Sequence, residues 1–162
     1  MPAITPWLWF DTQALDAAEF YVSVFPNSAV VRTDRYGPEN PERQGQVMAV
    51  LFSLDGTPFA ALNGGPEYPF TAAVSFEIEC ADQAELDHYW SHLTADGGRE
   101  VACGWLTDRF GLSWQVVPRR LPELTVDADP AVAERVNRAV LGMVKLDIAA
   151  LEAAARGETA GV

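Results

Sequence analysis

The chain reads as an α+β protein in which one strand–helix–strand module occurs twice. Three observations predict this. Hydrophobic periodicity switches between a strand period of two and a helical period twice, in the same order. Leu8 and Phe10 precede a helix bearing Phe20-Tyr21, while Phe76 and Ile78 precede one bearing Tyr89-Trp90. Phe10 to Tyr21 and Ile78 to Tyr89 are both eleven positions. A repeated interval of this kind constrains the fold more than any single motif.

In the first half, residues 4–10 read as an aromatic-rich strand. Thr12-Gln13 opens a helix with Leu15, Ala18, Tyr21, Val22 and Phe25 at helical spacing, with Asp11 placed to cap it. Pro26-Asn27-Ser28 ends it, and residues 29–36 are β-like. Residues 37–45 hold two prolines and read as a loop. Residues 46–54 and 58–63 form a hairpin about Asp55-Gly56. Asn63-Gly64-Gly65-Pro66 is a turn.

The second half repeats the order. Residues 72–80 alternate as a strand, and Asp82 with Glu85 forms a capping box before a helix bearing Leu86, Tyr89, Trp90 and Leu93. Gly97-Gly98 is expected to end it, with strands at 101–106 and 111–117. After Pro118 the texture becomes helical. Asp129-Pro130 opens a helix with Val132, Val136, Val140 and Val144 as a stripe that needs a surface, and Asp147 caps a last helix. One domain is expected, with modules at about 1–66 and 67–118 and a helical extension at 119–162, packed on it or on a partner.

Composition narrows the function classes. A hydrophobic content of 49% is that of a globular chain. The formal charge is −12, from 23 acidic and 11 basic residues, which disfavours nucleic acid and anionic membranes as partners. The start has no basic region or long apolar run, and a cytoplasmic location is expected. Cys80 and Cys103 lie in apolar contexts and read as buried thiols. His88 and His92, at i, i+4, read as part of a solvated helix surface.

Several segments are specific: Thr5-Pro6-Trp7-Leu8-Trp9-Phe10-Asp11, Glu19-Phe20-Tyr21, Leu62-Asn63-Gly64-Gly65-Pro66, Cys103-Gly104-Trp105-Leu106 and Phe110-Gly111-Leu112-Ser113-Trp114-Gln115. Together they resemble the vicinal-oxygen-chelate (glyoxalase, bleomycin-resistance and dioxygenase) superfamily. Within it they resemble the PhnB-like branch described as 3-demethylubiquinone-9 3-methyltransferase. The resemblance implies paired βαβββ modules forming a cup-shaped mixed sheet. It also implies metal-ligand positions near Thr5 (or Trp7 or Trp9) and at Asn63, Ser75 and Gln115.

Those residue types are neutral donors, whereas divalent metals favour imidazole, thiolate or carboxylate. No metal and no cofactor are therefore expected. The expected function is binding of a small organic molecule in the cup, whose lining would be Trp7, Trp9, Asn63, Ser75, Glu77, Trp105 and Gln115. Glu77 and Glu79 share parity with Ser75, which makes an inward carboxylate a general-base candidate. A pocket under the 37–45 loop is the other placement. The alternatives are a metal-dependent lyase, isomerase or dioxygenase, a true methyltransferase, or a protein whose interface is its function. Methyl transfer lacks support from the glycine turn, which follows a strand but opens no helix. A homodimer is expected.

Overall fold

The computed structural model describes residues 4–126 and 129–158. The chain divides into two compact units, Met1–Phe70 and Thr71–Val162. The first runs β1 (Trp7–Phe10), α1 (Ala14–Val24), β2 (Ala29–Arg35), β3 (Val47–Leu54) and β4 (Thr57–Asn63). The second runs β5 (Ser75–Cys80), α2 (Gln83–Thr94), a 3-10 turn (Ala95–Gly97), β6 (Arg99–Glu100), β7 (Trp105–Thr107) and β8 (Ser113–Pro118). The helices α3 (Leu121–Thr125), α4 (Pro130–Leu141) and α5 (Ile148–Arg156) follow. No helix among the described residues is long and apolar enough to cross a membrane.

The two sheets have one topology. The first is ordered β1-β4-β3-β2 and the second β5-β8-β7-β6. In each the strand before the helix pairs in parallel with the last strand, and the other pairs are antiparallel. The fold is thus α+β, with mixed sheets made from two βαβββ modules. The repeated residues fill equivalent core positions, for Phe10 and Tyr21 are buried, as are Ile78 and Tyr89.

Local chemistry explains the boundaries. Asp55 and Gly56 both have positive φ, 44° and 77°, which a two-residue hairpin of the primed type requires. Asp82 accepts the Glu85 N–H at 2.9 Å, and Glu85 in return accepts the Ala81 N–H at 2.6 Å. The helix α2 stops at Thr94, earlier than the glycine pair suggests, because Ala95 turns extended at ψ 157° and Asp96 follows at φ 53°. The expected strand at 101–106 is split. Cys103 and Gly104 turn left-handed, and only Trp105–Thr107 pairs with β8.

The valine stripe is also divided. Gly142 terminates α4, so Val144 lies beyond it. Val136 is fully buried. Arg135 of α4 donates to the Ala154 and Ala155 carbonyls at the end of α5, at 3.0 and 2.8 Å. The segment between α4 and α5 lies along the β6–β7 turn: Cys103 N–H donates to Met143 O and Gly104 N–H to Val144 O, both at 2.8 Å. Leu146, fully buried, packs so closely on Gly104 that a Cβ there would lie 3.1 Å from its side chain. The extension therefore folds onto the second unit of its own chain.

Candidate functional site

In the first unit α1 begins without help from its own sequence. Its N-cap, Gln13, makes no side-chain capping bond. Asp11, expected as the cap, does not serve. The bond comes instead from the end of β4, where Asn63 Oδ1 accepts the Ala14 N–H at 2.8 Å. Asn63 Nδ2 donates to Val47 O at 3.1 Å, and the Asn63 carbonyl accepts the Tyr36 hydroxyl at 3.1 Å.

Register explains this engagement. Asn63 pairs with Phe10 and shares a strand face with Ala61 and Phe59, the buried face, while Trp9 pairs with Leu62. The expectation that Asn63 shares a face with Trp9 is corrected by this parity.

Asn63 forms one wall of a cleft of about 380 Å³, lined also by Asp11, Thr12, Tyr36, Arg43, Gln46 and Val47. The 37–45 loop is closed at its base by Tyr36 N–H to Gln46 O (3.0 Å) and Gly45 N–H to Tyr36 O (2.9 Å). Arg43 folds back within it. Its guanidinium carbon lies 5.7 Å from the Tyr36 ring centroid, and Nη1 donates to the Tyr36 hydroxyl at 3.3 Å. The hydroxyl thus connects Arg43 to the Asn63 carbonyl. The loop signal was visible as prolines and glycines. Its cation was not, because a lone arginine in a polar loop has no distinguishing pattern.

Trp7 and Trp9 lie on the other face of the sheet. Trp7 is 55% exposed. Trp9 Nε1 donates to Gly65 O at 2.8 Å, and its ring meets Tyr68 edge-on at 5.0 Å. A Cβ on Gly64 would fall inside the Trp9 indole, and Gly65 has φ +107°. The Asn63-Gly64-Gly65-Pro66 turn is shaped to seat an indole.

In the second unit Trp105, Gln115 and Glu77 form one row across β7, β8 and β5. Gln115 Nε2 donates to Ser75 Oγ at 2.9 Å. Ser75, Gln115 and Trp105 are half-buried, whereas Glu77 is exposed. The opposite face carries Ile78, Trp114 and Val116 in the core. Sequence reasoning missed the buried carboxylate of Asp108. It accepts from the N–H groups of Phe110 (2.8 Å) and Leu112 (3.1 Å) and from Trp114 Nε1 (2.9 Å), fixing the turn before β8. An aspartate five residues before a hydrophobic strand was the available signal.

Cys80 is fully buried, and burial, then the charges of Glu85 and Asp82, pushes its thiol up to about 12. Cys103 is only half-buried, in the positive-φ turn, unlike the expected buried thiol.

The donors do not suit a resident divalent cation. The Asn63 amide is spent on the backbone at both ends, and Gln115 is bonded to Ser75. Among the described residues, no three or more His, Cys, Asp or Glu side chains group as a metal site would require.

Two βαβββ modules in this topology place the chain in the vicinal-oxygen-chelate superfamily, in its PhnB-like branch. The family model for 3-demethylubiquinone-9 3-methyltransferase matches residues 2–117, and the chain belongs to that family. Among solved structures it is similar to the PhnB protein from Bacillus cereus, at 29% identity and a TM-score of 0.65, over 72% of this chain and 99% of that one. It is also similar in fold to protein PA1353 from Pseudomonas aeruginosa, at 21% identity and a TM-score of 0.61, over 73% of this chain and 98% of that one. No curated protein matches the sequence.

Proposed function

We propose that the chain binds a small polar organic molecule, without a resident metal, in the cleft of its first unit. The carrying observation is the linked set Arg43, Tyr36 and Asn63 around a space of about 380 Å³. Small-molecule sites commonly run from about 300 to 1,000 Å³. Arg43 offers a charged fork for a carboxylate or similar acceptor. Asp11 and Thr12 on the same wall favour a ligand that also carries a hydroxyl or amine. Asn63 acts by position: it ties the start of α1 to the floor of the cleft and leaves recognition to its neighbours.

The row Trp105, Gln115 and Glu77, with Ser75 steering Gln115, is the competing contact set, and it belongs to the second unit. Methyl transfer is not supported by the glycine turn, whose space is taken by Trp9.

The test is a thermal-shift screen with small hydroxy and amino carboxylic acids. Compounds that stabilise the protein should lose that effect in Arg43→Ala and keep it in Gln115→Leu and Ser75→Ala. The reverse pattern moves the ligand to the second unit and refutes the cleft. We also propose a homodimer, which sedimentation at micromolar concentration checks; a mass of one chain would contradict it.

A further inference from the structure

His88 and His92 stand one turn apart on α2, both exposed, with ring centroids 4.3 Å apart and planes inclined at 43°. Residues at i, i+4 on a helix face one another. With metal–nitrogen bonds of about 2.0–2.1 Å, two imidazoles bound cis at a right angle place their centroids about 4.5 Å apart. The rings already stand near that separation.

The second observation concerns the tautomer. His92 Nδ1 lies 2.7 Å from the His88 carbonyl oxygen. A nitrogen facing a carbonyl must carry the proton, which leaves the His92 Nε2 lone pair for another partner. Ligating histidines characteristically donate their second N–H to a carbonyl or carboxylate in this way, which fixes the ring and raises its basicity. The chain charge of −12 further favours a cation.

From this we propose that His88 and His92 form a two-imidazole chelate for a divalent transition metal on the outer face of α2. No third His, Cys, Asp or Glu side chain completes a set there among the described residues. Water fills the remaining positions. That composition suits copper(II) or nickel(II), which accept two cis imidazoles plus water, better than a closed tetrahedral zinc site. The site is independent of the cleft and lies in the other unit.

Copper(II) itself is the probe, titrated into tag-free protein by calorimetry and followed by electron paramagnetic resonance. One copper per chain is expected, with hyperfine splitting from two nitrogens. His88→Ala and His92→Ala, both at exposed positions, should each weaken binding by about tenfold or more, because the second imidazole acts at high effective concentration. Unchanged affinity in either variant, or splitting from a single nitrogen in the parent protein, overturns the proposal.

Discussion

Asn63 Oδ1 accepts the Ala14 N–H at 2.8 Å across 49 positions of sequence, so the last strand of the first module caps the helix α1 of that module. The first N–H groups of a helix have no partner within it. Here that need is met by a strand that also walls the cleft.

Replacing Asn63 with Ala should therefore act first on stability. It leaves the Ala14 N–H and the Val47 carbonyl without their side-chain partner, at a cost of about 1–3 kcal/mol. Asn63→Asp keeps the acceptor but loses the donor, so it should be less stable than the parent as well. Urea denaturation reads both. An unchanged midpoint in Asn63→Ala would contradict the capping role.

Cys80 gives a pH signature. Its ordinary thiol value is 9.0, and the folded value is raised to about 12, first by burial. Below pH 9 both states hold the proton and the contribution to stability is complete. Between pH 9 and 12 the unfolded chain gives up the proton first, so stability falls as pH rises, by up to about 1.4 kcal/mol per unit. The slope above pH 9 should be steeper in the parent than in Cys80→Ala. Equal slopes would show that Cys80 does not carry it.

Leu146 holds the C-terminal extension. It is fully buried against Gly104, and its carbonyl accepts from Gln83 Nε2 at 3.3 Å. Leu146→Ala should cost about 2–5 kcal/mol. Limited proteolysis should then cut the chain first between α4 and α5. Parent-like resistance to protease would show that the anchor lies elsewhere.

Much of the fold was legible because it rests on short-range signals. The strand alternation at Phe76 and Ile78, the capping box at Asp82, and the hairpin pair Asp55-Gly56 each depend on neighbours within a few residues. The repeated eleven-residue interval then showed that one module occurs twice. Much less of the site was legible. The side of the sheet taken by Asn63 depends on pairing with Phe10, and its cap bond joins strand to helix far along the chain. The position of Arg43 depends on how the loop closes between Tyr36 and Gln46. These are tertiary contacts, and local periodicity carries no trace of them.

The central claim is that the first-unit cleft binds a small polar molecule through Arg43 and needs no metal. Calorimetric titration of the best screening compound, run with and without a chelator, tests it most directly. The parent should bind with one-to-one saturation. Arg43→Ala should lose a charge-assisted bond worth about 1.5–3 kcal/mol, which weakens binding by roughly 10- to 150-fold. Binding that survives Arg43→Ala unchanged, or that vanishes when the chelator is added, would contradict the account.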